Sequence, residues 1–381
     1  MKIIKNVDII LPEKIIKNGA VLFNESIKKI YKIDDYMESE FDKEAIEIID
    51  GKEGYLTPGF IDVHIHGTNG KDAMDATYEA IDTISENVIK SGVTHFLPTT
   101  MTMAEQNIHE ALKNIEKLKD KQLSGAQILG VNVEGPFLNK DKKGAQPEEH
   151  ILDPNLDLLK NYVEIIKLVT IAPEKPGAKD FIKEMNNRGI VTSVGHSTAT
   201  YEDIQKANKW GLSHTTHLFN GMVGLHHRRP GIVGAALTND MTVELIADLI
   251  HLSPVILDLV SKTKSEDEII LVTDSMRAAG LEDGEYSLGG QKVIVKEGEA
   301  RLETGSLAGS TLTLDRAVKN MYNSTKLELN SVIKMVTKNP AKLLGVDNKK
   351  GKIENNYDAD LVILNKNLEV KKVFVKGEQK Y

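Results

Sequence analysis

Hydrophobic residues recur along the middle of the chain in short runs, separated by longer stretches that carry apolar residues at helical spacing. The segments 77–91 and 104–119 each place their apolar residues on one helical face, and Gly92 follows the first as a C-terminal cap. The short apolar runs have the length of buried strands. The predicted strands are FIDVH, VTHFLP, QILGVNV, KLVTIA, IVTSV, LSHTT, VELIAD and EIILVT.

Repeated strand-then-helix units define the predicted architecture. Eight of them in succession favour an α/β protein of the (β/α)8 barrel type, in which the functional site forms at the carboxyl ends of the strands. A doubly wound open sheet is built from similar units. No GxGxxG motif follows the first predicted strand, however, so the dinucleotide-binding form of that fold is not indicated.

The two ends of the chain share a different pattern. The N-terminal runs KNVDIILP and NGAVLFN are β-like and are broken by Gly, Asn and Pro, and the last 30 or so residues alternate apolar with polar positions. We therefore expect one small β domain assembled from residues 1–56 and 346–381, with the barrel formed by residues 57–345. Two independent edge hairpins on a single domain are the alternative.

Histidines and acids cluster where the predicted strands end. On a strand, alternate side chains share a face, so His64 and His66 point the same way. A single histidine after a strand is usually an ordinary loop residue, but a closed barrel brings all these strand ends to one mouth. Imidazole and carboxylate groups gathered in this way predict a catalytic metal centre for one ion or two. The residues at the strand ends are His64, His66, Glu134, His196, His217, Asp248, His251 and Asp274.

The composition limits the metal ligands, nucleophiles and binding partners that this protein can have. The chain has 381 residues, no cysteine and a net charge of −8. Thiolate ligands, disulfides and a cysteine nucleophile are thereby excluded, and His, Asp and Glu ligands suit zinc, iron or manganese. The acidic balance does not indicate binding to nucleic acid or to an anionic membrane. The N-terminus lacks a secretory pattern and no apolar run reaches membrane-spanning length, so we expect a cytoplasmic protein.

Two further segments are candidates for substrate contacts. The run HHRRPG, from His226 to Gly231, is a local basic cluster in an acidic protein, and it predicts either a phosphate site or a solvated charge run. Asn220 and Gly221, just upstream, can add backbone N–H donors. The segment GSLAGSTLT, 305–313, is either a turn with a helix cap or a place where substrate approaches the backbone closely.

These motifs resemble a known family. YLTPGFIDVHIHG and GKIENNYDADLVILN are similar to the two ends of the amidohydrolase superfamily pattern. The set EGPF, GAQP, VGHS, THLFNGM, HHRRPG, IADLIH, VTDS and LAGS resembles, in order and over essentially the whole chain, the N-acetylglucosamine-6-phosphate deacetylase family within that superfamily. Arg229 departs from the family pattern by replacing a usual Glu, and Gly221 stands where many members have Ala.

The resemblance implies a metal-dependent barrel enzyme with a small β-sandwich-like domain, usually a homodimer, that hydrolyses the acetamide of N-acetylglucosamine 6-phosphate in amino-sugar catabolism or recycling. It makes Glu134, His196 and His217 ligands of the principal zinc or iron ion. His64 and His66 then supply a second site bridged by Glu134. Asp274 becomes a metal-contacting general base and acid, and His251 polarises the carbonyl. The substrate-binding positions are Ala145, Asn220, Gly221, His227, Arg228, His251, Leu307, Ala308 and Gly309.

Three alternatives remain open from the sequence. The substrate could be another hexosamine phosphate, such as N-acetylgalactosamine 6-phosphate, or the chain could be a different amidohydrolase, such as one acting on cyclic amides. A non-catalytic barrel used as a scaffold is the third. Scaffolds of this kind typically lose metal ligands, whereas every expected position is filled here.

Overall fold

A computed structural model describes residues 1–32 and 46–381; residues 33–45 of the predicted N-terminal β segment lie outside the described residues. The chain begins with long strands whose buried faces are rich in Ile, Val and Leu. The first strand pairs antiparallel with the second and parallel with the fourth. These strands are β1 (Lys2–Leu11), β2 (Lys14–Phe23), β3 (Ile27–Tyr31) and β4 (Glu47–Pro58).

The barrel follows directly, because only Gly59 separates β4 from the first barrel strand. Two very short strands after it form a separate antiparallel ribbon. The strands of this region are β5 (Phe60–Ile65), β6 (Gly67–Thr68), β7 (Lys71–Asp72), β8 (Val93–Thr100), β9 (Gln127–Ile128), β10 (Val131–Glu134), β11 (Ile166–Ile171), β12 (Val191–Val194), β13 (His214–Thr215), β14 (Thr242–Ile246) and β15 (Ile269–Val272).

The barrel strands are parallel neighbours in the order β15-β14-β13-β12-β11-β10-β8-β5, and the sheet closes on itself at the carboxyl ends. The N–H of Asp274 donates to the carbonyl of His64 at 2.8 Å, and the N–H of His66 donates to the carbonyl of Ser275 at 3.0 Å. All eight predicted strands are confirmed, with the third split into β9 and β10. The sheet is therefore the predicted (β/α)8 barrel.

Helices pack their apolar stripes against the outside of the barrel, and the two predicted from residues 77–91 and 104–119 are confirmed. Short 3-10 turns span Ala73–Asp75, Ile89–Ser91, Lys140–Lys142, Glu148–His150 and Leu156–Leu158. Within residues 1–32 and 46–381, no helix combines the length and the apolar character needed to cross a membrane. The helices are α1 (Tyr78–Val88), α2 (Glu105–Leu118), α3 (Ala178–Asn187), α4 (Tyr201–Asn208), α5 (Gly231–Thr238), α6 (Pro254–Thr263), α7 (Leu314–Ser324), α8 (Leu329–Lys334) and α9 (Lys338–Leu343).

A three-stranded antiparallel meander, absent from the predicted elements, follows the last barrel strand. It consists of β16 (Gly284–Leu288), β17 (Gln291–Lys296) and β18 (Glu299–Leu302). Both of its hairpins turn through two residues with positive φ, Gly289-Gly290 and Glu297-Gly298, as tight hairpins require. Its buried face packs on the segment after β15 and on the loop that carries Ala145. The meander therefore forms one wall over the barrel mouth.

The C-terminal strands return to the N-terminal ones. Strands β19 (Leu361–Leu364), β20 (Val370–Val375) and β21 (Glu378–Gln379) complete a seven-stranded sheet in the order β21-β20-β19-β4-β1-β2-β3. The rings of Phe23 and Phe374 lie 5.6 Å apart, although three strands separate β2 from β20. Because adjacent strands are about 4.8 Å apart, the sheet must curl so that its inner surfaces meet. The prediction of a small β domain built from both chain ends is confirmed.

Candidate metal centre

Three side chains from the carboxyl ends of three barrel strands meet at the barrel mouth. Oε1 of Glu134, the last residue of β10, lies 3.1 Å from Nε2 of His196 and 3.0 Å from Nε2 of His217. The two histidines follow β12 and β13 by two residues each, and their Nε2 atoms are 3.1 Å apart. All three residues are buried. We call these three the Glu134 group.

The other ring nitrogen of each histidine in this group is anchored to backbone. Nδ1 of His196 lies 2.8 Å from the carbonyl of Lys142, and Nδ1 of His217 lies 3.1 Å from the carbonyl of Asn220. A proton on Nδ1 satisfies each carbonyl, which leaves the Nε2 lone pair free to bind a metal. Both residues have positive φ, 46° and 28°, so their backbones are strained where they present these lone pairs.

A second set of donors lies beside the first. Nε2 of His66 is 3.3 Å from Oδ1 of Asp274, and Nε2 of His64 is 3.5 Å from the same oxygen. His64, His66 and Asp274 form the His64 group. Oε2 of Glu134 lies 3.2 Å from Nε2 of His66, while its Oε1 belongs to the Glu134 group. The carboxylate of Glu134 is thus placed to bridge two ions.

The donor set fits divalent cations. Nε2 of His64 is buried with no hydrogen-bond partner, which is unusual for a polar atom and is resolved by a metal ion. Burial lowers the pKa of His64, but the carboxylates of Asp274, Glu244 and Glu134 outweigh burial and raise that pKa to about 9. Burial raises the pKa of Glu134, yet His64 and the imidazoles bonded to it hold that pKa well below its usual range. The carboxylates here favour positive charge nearby, and a divalent ion held by these residues would supply that charge without protonation of the ligands.

Gln146 is a neighbour of this centre that the sequence signalled only through the GAQP motif. Its Nε2 donates to Oε2 of Glu134 at 2.7 Å, and its Oε1 accepts the N–H of Thr102 at 2.8 Å. The second bond fixes which end of the amide faces Glu134. Gln146 therefore orients the Glu134 carboxylate.

A cavity of about 410 Å³ opens over both groups, and Arg301 of the meander reaches its wall. Ala308 is fully buried behind that wall, with its N–H bonded to the carbonyl of Ala300. His227 and Arg228 lie on the exposed surface, with Nη1 of Arg228 2.8 Å from Nε2 of His227, outside the cavity lining. Their predicted contact with phosphate stays a prediction. The predicted substrate residues that line the cavity are Ala145, Asn220, Gly221, His251, Leu307 and Gly309.

His251 is held by an acid three residues before it. Oδ2 of Asp248 lies 2.6 Å from Nδ1 of His251, and Oδ1 of Asp248 accepts the backbone N–H of the same histidine at 2.7 Å. The ring is fixed through Nδ1, so Nε2 is the nitrogen left for a ligand in the cavity. The sequence placed Asp248 at a strand end. It did not show that Asp248 anchors His251, because that contact depends on the turn that the loop makes.

Two acids beyond the ligand groups support them, the partly buried Glu174 and the fully buried Glu244. Glu174, after β11, accepts the side chain of Ser197 at 2.6 Å and the N–H of Thr198 at 2.7 Å, which holds the loop next to His196. Glu244 lies inside the barrel on β14 and contacts His64. The one sequence signal for Glu244 was an acid inside the strand run VELIAD, between Val243 and Leu245.

Two groups of imidazole and carboxylate donors at the carboxyl-end mouth of a (β/α)8 barrel, beneath a cavity of substrate size, define a metal-dependent barrel hydrolase. Sequence comparison gives the family. The profile of the Amidohydrolase family matches residues 55–380, and the chain belongs to that family.

Individual relatives are similar over nearly the whole chain. An N-acetylglucosamine-6-phosphate deacetylase of Bacillus subtilis is 39% identical, covering 97% of this chain and 94% of the relative. An N-acetylgalactosamine-6-phosphate deacetylase of Escherichia coli O157:H7 is 38% identical, covering 85% and 87%. The crystal structure of the N-acetylglucosamine-6-phosphate deacetylase from Thermotoga maritima superimposes with a TM-score of 0.90 at 38% identity, over 100% of this chain and 99% of that one.

Proposed function

We propose that this protein hydrolyses the acetamide of N-acetylglucosamine 6-phosphate, giving glucosamine 6-phosphate and acetate, as a step in amino-sugar catabolism or recycling. The observation that carries the proposal is the convergence of two ligand groups, one of which includes Asp274, at a cavity of about 410 Å³. Relatives that bear this activity in their names support the choice of substrate.

One or two divalent ions, zinc or iron, are part of the proposal. The Glu134 group would hold the principal ion and the His64 group a second, with Glu134 shared between them. When bound, a divalent ion of this kind lowers the pKa of a water molecule to about 7 and polarises a carbonyl.

Asp274 is the proposed general base and acid. It lines the cavity, and its Oδ1 lies within 3.5 Å of both His64 and His66. Burial raises the pKa of Asp274, but His64 and His66 outweigh burial and lower it, so the carboxylate is ionised and ready to accept a proton. Asp274 would take the proton of the attacking water and deliver it to the amide nitrogen, since an amine leaves readily only when protonated.

His251 is the proposed partner of the acetyl carbonyl. In its protonated form, fixed by Asp248, it would donate from Nε2 to the developing oxyanion. Backbone groups around the cavity would orient the sugar. They belong to Ala145, Asn220, Gly221, Leu307 and Gly309, whereas Ala308 lies buried behind the wall.

The remote phosphate is assigned to the HHRRPG loop, with Arg228 as the main contact and His227 beside it. A guanidinium suits a phosphate because it binds in a bidentate manner. A homodimer and a cytoplasmic location complete the proposal, supported by the family resemblance and the sequence pattern respectively. Light scattering of the purified protein and fractionation of the producing cell test these two points.

The second candidate function is deacetylation of N-acetylgalactosamine 6-phosphate, favoured by the similarity to the relative of that name. The deciding experiment measures acetate release from both hexosamine phosphates, with metal per subunit quantified on the same preparation. A kcat/KM at least tenfold higher for the gluco epimer supports the proposal. A preference for the galacto epimer favours the second candidate. Absence of metal, and no activity after metal addition, would leave only the scaffold alternative.

A further inference from the structure

Glu244 contacts both ligand groups although it lines no part of the cavity. Its side chain points into the barrel from β14 and is 0% exposed. Oε2 lies 3.0 Å from Nδ1 of His64 and 3.1 Å from the backbone N–H of His217. One carboxylate oxygen therefore accepts a hydrogen bond from a member of the His64 group and another from a member of the Glu134 group.

The contact with His64 determines which nitrogen can bind a metal. Because Nδ1–H donates to Glu244, the lone pair lies on Nε2. That atom has no hydrogen-bond partner and lies 3.5 Å from Oδ1 of Asp274 and 3.7 Å from Oε1 of Glu134. A metal-binding histidine is commonly oriented by a carboxylate on its other nitrogen.

The contact with His217 acts on the backbone. His217 has φ of 28°, a conformation that L-residues rarely adopt and that persists only where surrounding contacts hold it. The N–H of His217 is one of those contacts, and it ends on the same oxygen that holds His64.

A second histidine fixes the carboxylate from the other side. Nε2 of His214 lies 3.1 Å from Oε1 of Glu244, and Nδ1 of His214 lies 2.6 Å from Oγ1 of Thr242. When the Thr242 hydroxyl donates to Nδ1, Nε2–H donates to Glu244. The ring can also adopt the opposite tautomer, in which Nδ1–H donates to Thr242 and Nε2 accepts a hydrogen bond.

We propose that Glu244 is a positioning residue that couples the two ligand groups. It fixes the positions of His64 and His217 relative to each other so that the two sites bind metal together. The inference rests on the metal-dependent function proposed above. Its action is geometric: what matters is an acceptor oxygen at the place of Oε2 rather than a negative charge inside the barrel.

Two single substitutions of Glu244 separate the effect of its geometry from the effect of its charge. Glu244→Gln keeps an oxygen toward His64 and His217, and its NH2 group is accommodated by the opposite tautomer of His214, so the geometry survives without the charge. Glu244→Asp keeps the charge but withdraws the oxygen by one methylene. A matched control is Thr192→Val, which changes a buried barrel hydroxyl that has no hydrogen-bond partner.

The experiment dialyses full-length protein against a series of buffered zinc concentrations and measures bound zinc per subunit by mass spectrometry, with circular dichroism to check folding. We expect wild type, Thr192→Val and Glu244→Gln to bind two ions with affinities within a few-fold of one another. Glu244→Asp should bind the second ion at least tenfold more weakly, because loss of such outer contacts costs about 10- to 100-fold in affinity.

If Glu244→Asp does not fold, Glu244→Gln alone tests the inference, because glutamine has the same shape as the wild-type glutamate. Loss of the second ion from Glu244→Gln overturns the inference, as does two-ion binding by Glu244→Asp with wild-type affinity. A wild-type protein that binds one ion at every zinc concentration overturns it as well. A wild-type protein that binds none contradicts instead the proposed function.

Discussion

The Nε2 atoms of His196 and His217 lie 3.1 Å apart, and both face the same oxygen of Glu134. Two imidazole lone pairs at this distance repel each other unless a cation lies between them. We expect metal removal by a chelator to lower the melting temperature and excess zinc to restore it. A metal at 100 times its Kd adds about 2.7 kcal/mol to the free energy of unfolding. Differential scanning calorimetry measures the melting temperature. A melting temperature that changes neither with the chelator nor with zinc would contradict the metal assignment.

Replacing Asp274 with Asn should remove the proton-transfer group while leaving the fold. We expect kcat to fall by about 10²- to 10⁴-fold, the usual contribution of a general acid–base group, with the ion of the Glu134 group retained. Steady-state kinetics with parallel metal analysis measures both quantities. Turnover near the wild-type rate in Asp274→Asn would show that another group transfers the proton.

Replacing Arg228 with Ala should weaken binding of the phosphorylated substrate. We expect kcat/KM for N-acetylglucosamine 6-phosphate to fall at least tenfold, whereas that for N-acetylglucosamine changes little, because only the first carries the phosphate. Arg229→Ala is the matched control, since it removes an equal charge from the next exposed position. Equal losses with the two substrates, or equal losses in the two variants, would argue against Arg228 as the phosphate contact.

His95 should make the protein less stable in mild acid. This histidine is buried at 3% exposure, and burial lowers its pKa from the ordinary 6.5 to about 4, against the opposing effect of Asp360. The unfolded chain therefore binds the proton first, so stability is complete above about pH 6.5 and is lost as the pH falls toward 4. The loss reaches a few kcal/mol, because one pKa unit corresponds to about 1.4 kcal/mol.

Urea unfolding between pH 7 and pH 4.5, in wild type and in His95→Gln, measures this effect. The variant lacks the titrating ring, so its stability should decline less steeply with acid. Parallel curves for the two proteins would mean that His95 is accessible to protons in the folded state.

Phe374 is one of the large side chains in the core between the two halves of the curled sheet. Its ring is fully buried and meets Phe23 edge to face. We expect Phe374→Ala to cost about 3–5 kcal/mol, with little change in kcat at low temperature because the site lies in the barrel. Ile48→Ala, at a position 49% exposed in the same sheet, should cost less than about 0.5 kcal/mol. Denaturant titration measures both, and equal effects would show that the sheet does not depend on this contact.

The parts of this protein that the sequence predicted are those that repeat. Eight buried strands of two to eight residues recur along the chain, and residues such as Glu134 and His217 stand at or just after the carboxyl end of a strand. Closure of the barrel brings these residues together, so their proximity could be predicted from the strand pattern alone. The meander was missed because its alternation is short, although Gly289-Gly290 and Glu297-Gly298 carried the signal of two tight hairpins.

Pairings between side chains were harder to predict, because they depend on distances across the barrel. No local pattern shows that Glu244 meets His64 from 180 positions away, or that Gln146 donates to Glu134. Likewise, the charge run around Arg228 was visible, but its position outside the cavity follows from the path of a loop.

The small β domain also has a consequence for how the protein is made. Strand β19 pairs with β4, yet about 300 residues of chain lie between Pro58 and Leu361. At a synthesis rate of about 5 to 20 residues per second, roughly 15 to 60 s pass before that partner exists. Throughout translation of the barrel, β4 presents an unpaired edge and Leu56 an uncovered apolar side chain. We therefore expect the nascent chain to be open to aggregation at this edge until its final strands are made.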